Sequence, residues 1–389
     1  MPRAPTLLAL CALFAFHPSS FAAGENRKLT LEDGDRVLLI GDVLIERENN
    51  YGALETKMRQ EFPGKKFAVR NLGYSGDTPL GASRASFDPV AKGIEQLEEQ
   101  LAVVKPTVAI IGYGMAASLE ELTYRKNDPA LNPDPARYGT DHTPARLKRE
   151  VAQLMDLITK HSAGGKVRFV ILGPIAHEDL RGSRPGLPNP AEHNVLLAAY
   201  RRSLAELATE KNVPFIQAEW KSQGIALDFG TDNGIHLTER GYRALSEGVA
   251  AQLGWSVNKT SWDHPFAAEA LRASVLRKNS LFFHRSRPAN YTYIFGFRKR
   301  EQGNNSVEIP KFDPLIESAE ADAIAVSAGQ PSTLPPEPKT DKLTERASLP
   351  RPDFKLADGL RLTLFAENPC ASAYCTYLMP SCSECASCK

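Results

Sequence analysis

Short apolar runs alternate with amphipathic segments between about residues 30 and 255. Runs typical of buried strands lie at residues 37–40, 66–72, 107–111, 167–172 and 213–217. Apolar residues at helical spacing predict helices at residues 51–62, 94–104, 145–161, 192–211 and 238–253, the last capped by Thr238. Continuous apolar strands separated by helices predict a parallel five-stranded sheet covered on both faces. Such sheets place their sites in loops after the carboxyl ends of the strands.

The pattern becomes less regular after residue 255. Residues 267–278 have helical spacing, residues 290–297 are aromatic and strand-like, and residues 360–365 form a short strand-like piece. Ala, Ser, Pro and charged residues dominate residues 318–352, which predicts a linker. We therefore expect an α/β domain at residues 30–255, a helical and aromatic extension at 256–317, a linker at 318–352, and the start of a further domain at 353–389.

The first 22 residues have the pattern of a signal peptide. Arg3 supplies a basic flank, residues 7–16 form an apolar run of ten, and Ser20 and Ala22 place small residues where a signal peptidase reads them. Ten apolar residues are too few to span a bilayer. We therefore predict cleavage after Ala22 and export to the periplasm or the exterior.

Charge and composition exclude some classes of partner. The chain has 389 residues, with 47 Lys and Arg against 46 Asp and Glu. This balance gives no electrostatic case for nucleic acid, and no stretch after the leader is long and apolar enough for stable membrane insertion. His177, Glu178 and Asp179 are of metal-ligand types, but no spacing fixes a metal site. Neither a metal nor another cofactor is expected.

Four sequence blocks resemble one family. They are Gly41-Asp42-Val43-Leu44, residues 71–78 (Asn-Leu-Gly-Tyr-Ser-Gly-Asp-Thr), residues 112–117 (Gly-Tyr-Gly-Met-Ala-Ala) and residues 232–237 (Asp-Asn-Gly-Ile-His-Leu). Over residues 33–255 the chain resembles the SGNH, or GDSL, hydrolases. The resemblance implies a flavodoxin-like α/β/α fold and hydrolysis of esters, often acyl groups on sugars and lipids. It also implies that the backbone N–H groups of Val43 and Gly76 point into an oxyanion hole.

Three family side chains are replaced in this chain. Val43 occupies the position of the nucleophilic serine, and an isopropyl group cannot act as a nucleophile. Ala116 occupies the position of an asparagine that donates to the oxyanion, and losing one such donor costs about 10²–10³ in turnover. Asn233 occupies the position of the aspartate beside the retained His236, and an amide cannot stabilise imidazolium by charge. Asp232 is one residue earlier, and its side chain is expected to point elsewhere.

Other polar residues on the same edge are candidates to line the pocket. Asp42 could act as an acid or a nucleophile, although packing the turn is its usual role in the family. Glu46 and Arg47 follow the first block. An acid and a base beside His236 could form a polar pocket, and a solvated helix start explains them equally well. Ser75 is the nearest hydroxyl and His177 follows the fourth strand, and a structural role is favoured for both.

The C-terminal third carries a second resemblance. Residues 291–310 and 356–369 resemble parts of large exported proteins of planctomycetes and related bacteria, in which an SGNH-like domain precedes a β-propeller and a haem-binding Cys-x-x-Cys-His segment. This chain lacks that motif, so no haem is predicted. Of the cysteines at 370, 375, 382, 385 and 388, the tail Cys382-x-x-Cys385-x-x-Cys388 could form a zinc or cluster site, but it has no second pair at finger spacing. The change of composition after Pro369 instead favours an altered or truncated form of a longer parent.

The sequence leaves three functions open. The leading hypothesis is an exported, esterase-shaped pseudoenzyme that binds an acylated sugar or glycan. The second is an active ester hydrolase in which His236 activates water, helped by Glu46 or Asp42. The third is a docking module of a larger redox assembly, with an unknown protein partner.

Overall fold

A parallel sheet of five strands organises the part of the chain that the structure describes. This structure, a computed structural model, describes residues 28–126, 141–218, 230–255 and 265–334. The strands are β1 (Arg36–Gly41), β2 (Ala68–Asn71), β3 (Val108–Gly112), β4 (Arg168–Leu172) and β5 (Phe215–Ile216). Their order across the sheet is β2-β1-β3-β4-β5, and Leu39 of β1 pairs with Asn71 on one side and Ile110 on the other. The predicted parallel five-stranded sheet is confirmed.

Helices connect and cover the strands. In chain order they are α1 (Val43–Tyr51), α2 (Ala53–Glu61), α3 (Ala91–Val104), α4 (Met115–Lys126), α5 (Pro144–Lys160), α6 (Ala191–Lys211), α7 (Glu239–Gln252), α8 (Pro265–Ser286), α9 (Tyr291–Ile294), α10 (Lys299–Gln302) and α11 (Phe312–Ser327). Short 3₁₀ helices lie at Ala82–Ala85 and Gly303–Lys311. Within the described ranges, no helix has both the length and the apolar character that crossing a membrane requires.

Successive residues of β1 face opposite layers. Val37 and Leu39 pack in one hydrophobic cluster with residues of α1, α2 and α7. Leu38 and Ile40 pack in a second cluster with residues of α3 and α5. All four side chains are buried, because both faces of the sheet are covered by helices. The predicted three-layer α/β/α arrangement is therefore confirmed.

The helix predicted at residues 51–62 corresponds to α2, and α1, which precedes it, was not predicted. Gly52 separates the two helices; it adopts a φ of +62° and donates its N–H to the carbonyl of Glu48 at 2.8 Å. This left-handed residue ends α1 and starts α2. Helix α4 was also absent from the prediction, because residues 112–117 matched a family motif and their helical start was overlooked.

The predicted strand at residues 290–297 is wrong. Tyr291, Tyr293, Phe295 and Phe297 alternate in the manner of a strand, but residues 291–294 form α9. The N–H of Phe295 donates to the carbonyl of Tyr291 at 2.8 Å, and the two rings lie 5.5 Å apart between centroids. The aromatic side chains therefore pair at helical spacing within one turn.

The first part of the predicted linker is wrong. Residues 318–327 belong to α11, in which Ile316, Ala319 and Ala323 are buried at helical spacing. The small residues that resembled a linker let α11 pack closely on α8. The later part of that linker, the segment at 353–389 and the predicted signal peptide at 1–22 lie outside the described residues.

Buried charges attach α8 and α11 to the rest of the fold. Glu320 of α11 pairs with Arg59 of α2 at 2.6 Å and with Arg70 of β2. Lys278 of α8 pairs with Glu55 of α2, and both are at most 2% exposed. Burial acts to raise the pKa of Glu320, but the surrounding cations outweigh it and lower the pKa. Because buried charges need their partners, the extension is part of the same folded core as the sheet.

Replacing Glu320 tests this attachment. Glu320→Ala leaves Arg70 without its carboxylate and Arg59 with Glu55 alone, so we expect the free energy of unfolding in urea to fall by about 3–5 kcal/mol. Glu317→Ala changes an exposed residue of the same helix and should stay within about 0.5 kcal/mol of the parent. Equal effects of the two substitutions would contradict the assignment.

Candidate functional site

A cavity of about 650 Å³ opens beyond the carboxyl ends of the strands. All four sequence blocks contribute to its wall, together with residues of α4, α5 and α8. The residues predicted from sequence that line it are Asp42, Val43, Glu46, Arg47, Ser75, Gly76, Ala116 and His236. The fold therefore brings most of the predicted site residues to one place, as expected for a parallel sheet.

Asp42 fixes the first block in position. It follows β1 and caps α1, where its carboxylate accepts from the N–H of Leu44 at 3.4 Å. The Oδ2 atom also accepts from the N–H groups of Gly114 and Ala116, both at 3.1 Å. Burial raises the pKa of Asp42 to about 6, and these backbone donors oppose the rise. The side chain is 1% exposed, so its role is to join β1 to the start of α4.

Val43 stands at the apex of the turn that Asp42 holds. It is the first residue of α1, and its half-buried side chain lines the cavity and packs against the core. The turn itself is tight, because a Cβ on Gly41 would lie 2.1 Å from the carbonyl oxygen of Gly112. The backbone of a nucleophile-bearing turn is thus present, and the side chain that it presents is a hydrocarbon.

The second block packs directly on α1. A Cβ on Gly73 would lie 2.4 Å from the backbone nitrogen of Glu46, so the backbones of the second block and of α1 are in direct contact. The side chain of Asn71 donates to the carbonyl of Ile45 at 2.7 Å and accepts from the N–H of Gly73 at 2.8 Å. Gly76 then adopts a φ of +67° with open space where a Cβ would be. Its bare backbone forms part of the cavity wall.

The third block places no side-chain donor at the position of the family asparagine. Ala116 lies in the first turn of α4 and lines the cavity with a methyl group. Its N–H is engaged by Asp42. Met115, one residue earlier, is 2% exposed and packs in the core.

His236 contacts an amide rather than a carboxylate. Its Nδ1 lies 3.2 Å from Nδ2 of Asn233. The Oδ1 of Asp232 is 3.9 Å from the same Nδ1, too far for a hydrogen bond, and its Oδ2 pairs with Arg47 at 2.9 Å. Burial lowers the pKa of His236, Arg47 lowers it further, and Asp232 and Glu46 oppose both. The net shift favours the neutral form of the imidazole.

Glu46 connects the second block to the C-terminal extension. One carboxylate oxygen accepts from the N–H of Ser75 at 2.9 Å and from its hydroxyl. The other oxygen pairs with Arg287, immediately after α8. The guanidinium of Arg287 also stacks over Tyr74, 3.7 Å from the ring centroid. The Ser75 hydroxyl thus belongs to a polar cluster that shapes the cavity mouth.

His177 is not among the described residues that line this cavity. The sequence prediction that it lines the pocket is therefore wrong. Its Nδ1 lies 3.0 Å from Nδ1 of His193, whose Nε2 lies 2.8 Å from the hydroxyl oxygen of Ser118. The ring is held beneath the fourth block, where a Cβ on Gly234 would lie 2.6 Å from its Nε2. Burial lowers the pKa of His193 to about 4 and also lowers that of His177, so both support the loop as neutral rings.

The neighbouring Glu178 holds the fourth block from the same side. Its carboxylate accepts from the N–H groups of Gly230 at 3.3 Å and Thr231 at 2.8 Å. Its own N–H donates to the carbonyl of Gly234 at 2.8 Å. Within the described ranges, no group of three or more His, Cys, Asp and Glu side chains is placed to hold a metal ion.

Sequence reasoning missed two groups of residues at the cavity. Phe283, which lines it, and Arg287, which pairs with the lining residue Glu46, come from the C-terminal extension, beyond the predicted end of the helix at residue 278. The apolar residues that continue to Phe283 are the signal that the helix is longer. The second group is polar and comes from α4, α5 and the turn before α5. Its members are Glu120, Thr123, His142, Thr143, Arg146 and Glu150.

The chain belongs to the GDSL-like lipase/acylhydrolase family. The family model matches residues 20–244, a span that contains all five strands and the four blocks. The predicted SGNH/GDSL resemblance is thereby confirmed. No curated protein matches the chain. The extension that supplies Phe283 and Arg287 lies outside the matched residues.

Solved structures with a similar fold include three enzymes. A catalytic mutant of Axe2, an acetylxylan esterase from Geobacillus stearothermophilus, is 15% identical over 59% of this chain and 98% of that chain, with a TM-score of 0.42. LAE5, an alpha/beta hydrolase enzyme from the metagenome of Lake Arreo in Spain, is 13% identical over 58% and 97%, with a TM-score of 0.40. BT4096, a gut microbial diltiazem-metabolizing enzyme, is 16% identical over 59% and 49%, also at 0.40. Family membership rests on the sequence match.

The contact between Arg287 and Glu46 can be tested by hydrogen exchange. In Arg287→Ala the Glu46 carboxylate loses its cation, so we expect faster exchange of the Ser75 amide, which donates to that carboxylate. Arg285→Ala is the matched control, because Arg285 lies in the last turn of α8, two residues before Arg287 in the chain, and pairs with Asp313 instead. The measurement is mass spectrometry of peptides covering residues 74–78. Unchanged exchange in Arg287→Ala would contradict the proposed coupling.

Proposed function

We propose that this protein binds a small acylated ligand, an acylated sugar or glycan, without forming an acyl-enzyme. Val43 carries the proposal, because it stands on the cavity wall at the first residue of α1, where the family places its nucleophile. A valine side chain has neither a lone pair nor a proton to give up. Ala116 and Asn233 replace two further groups that acyl transfer uses, so the loss affects the whole reaction rather than one step.

The lining of the cavity supports a ligand with an acyl part and a sugar part. The first, third and fourth blocks contribute the apolar side chains of Val43, Ala116 and Ile235. Helices α4 and α5 contribute Glu120, Arg146 and Glu150, with Arg146 held by Glu150 at 2.7 Å. Apolar walls with a few placed polar groups are typical of small-molecule sites. Carboxylates and a guanidinium match the hydroxyl groups of a sugar.

An active ester hydrolase is the second candidate. The cavity, the bare backbone of Gly76 and the retained His236 favour it, since an oxyanion hole and binding alone leave about 10³–10⁴ of acceleration over water in the serine proteases. Against it stands the environment of the imidazole, because the Asp232 carboxylate is not hydrogen-bonded to His236. We therefore place binding first.

Export is part of the proposal. The leader pattern at residues 1–22 supports it, and glycans and their acyl esters are abundant outside the cytoplasm. The docking hypothesis draws partly on residues 356–369, which lie outside the described residues, so it stays a prediction from sequence.

The absence of acyl-enzyme chemistry predicts no covalent labelling. Incubation with a fluorophosphonate should leave the intact mass unchanged, because Val43 offers no nucleophile. An active GDSL-family esterase treated in parallel serves as the positive control. A stoichiometric adduct would contradict the proposal, as would turnover of aryl acetates near that of the control enzyme and lost in His236→Ala.

Ligand binding is tested by calorimetry with paired oligosaccharides. We expect acetylated oligosaccharides to bind at least about tenfold more tightly than the same compounds after deacetylation, a difference of about 1.4 kcal/mol. Thr123→Trp fills part of the cavity and should abolish binding. Glu206→Ala, an exposed position on α6, should bind as the parent does. Binding that ignores the acetyl groups, or that survives Thr123→Trp, would contradict the proposed site.

A further inference from the structure

The amide of Asn233 has a fixed orientation. Its Oδ1 accepts from the N–H groups of Ile235 at 3.1 Å and His236 at 2.9 Å. The amide has one acceptor oxygen and one donor nitrogen, and two backbone donors already claim the oxygen. The end that faces Nδ1 of His236 at 3.2 Å must therefore be the NH₂ group.

This orientation determines the tautomer of His236. The NH₂ group of Asn233 can only donate, so Nδ1 of the imidazole accepts and carries no proton. A neutral imidazole has one N–H, which then lies on Nε2. Protonating Nδ1 would direct two N–H groups at each other. Burial and the charge of Arg47 also disfavour the protonated form, because both lower the pKa of His236. The acidic groups that oppose this, Glu46 of α1 and Asp232, are themselves paired with Arg287 and Arg47.

We infer that Asn233 is a positioning residue that converts His236 from a proton acceptor into a hydrogen-bond donor. His236 lines the cavity, and Nε2 is the ring nitrogen that remains for a ligand. In a serine hydrolase that nitrogen takes the proton of the nucleophile, whereas here it presents a proton. The ligand must therefore place an acceptor oxygen at His236, the carbonyl of an acyl ester or a carboxylate. This inference rests on the proposed binding function and specifies the chemistry of its ligand.

Nitrogen NMR of the ligand-free protein tests the tautomer directly. With ¹⁵N-histidine at pH 7.5, we expect the shifts and couplings of His236 to report an Nε2–H tautomer, with the signal assigned by its loss in His236→Gln. Asn233→Asp keeps an oxygen for the two backbone donors and faces Nδ1 with a carboxylate. It should switch the tautomer to Nδ1–H and raise the pKa of His236 by about 1 to 3. An Nδ1–H tautomer in the parent, or no switch in Asn233→Asp, would overturn the inference.

A reactive serine gives a second measurement. In Val43→Ser, Nε2 is already protonated and cannot accept the hydroxyl proton. We therefore expect fluorophosphonate to label Val43→Ser/Asn233→Asp faster than Val43→Ser by about 10⁴, the order of the effect of an equivalent change in serine proteases. Equal labelling rates of folded variants would count against the tautomer switch.

Calorimetry separates this inference from the proposed function. Oligosaccharides that bear an acetyl ester, a uronic carboxylate or neither group identify the source of the acceptor oxygen. His236→Ala should weaken binding of the first two compounds only. Failure of every oligosaccharide to bind, with an Nε2–H tautomer still observed, would reject the proposed ligand and leave the role of Asn233 standing. Preferred binding of the compound with neither group would overturn the inferred ligand chemistry.

Discussion

The buried carboxylate of Asp42 holds the candidate site together. It follows β1, caps α1 and accepts hydrogen bonds from two N–H groups at the start of α4. A buried acceptor with several backbone donors cannot be removed without leaving those donors unpaired. The turn that presents residue 43 is therefore maintained by groups other than residue 43 itself. This independence explains how a hydrolase-type turn can persist with a valine at its apex.

The cavity depends on a second constraint, which comes from the far end of the chain. Arg287 reaches Glu46 and Tyr74 from the extension, and Phe283 adds an apolar wall beside it. The extension is in turn held by buried ion pairs, Glu320 with Arg59 and Lys278 with Glu55. Packing of the extension and the shape of the cavity mouth are therefore linked through named contacts.

Local patterns carried much of the prediction. The strand at residues 37–40 and the helix at 145–161 were predictable because continuous or periodic apolar residues define them. Residues 291–297 were not, since their alternating aromatic residues fit a strand while i to i+4 contacts form a helix. In the site, Val43 and His236 were predictable from motifs at strand ends. Arg287 was not, because its partner Glu46 lies 241 positions away, and His177 was misplaced because His193, on α6, sets its direction.

The buried charges also bear on where this protein can be divided. Residues shared with the family end at residue 244, yet Lys278 and Glu320 lie beyond that point and neutralise Glu55, Arg59 and Arg70 within it. Cutting the chain at the edge of the homologous region would strand charges inside an apolar interior. The region matched by the family and the unit that folds are therefore of different size, and a fragment cut at residue 244 would lack the counterions that Lys278 and Glu320 supply.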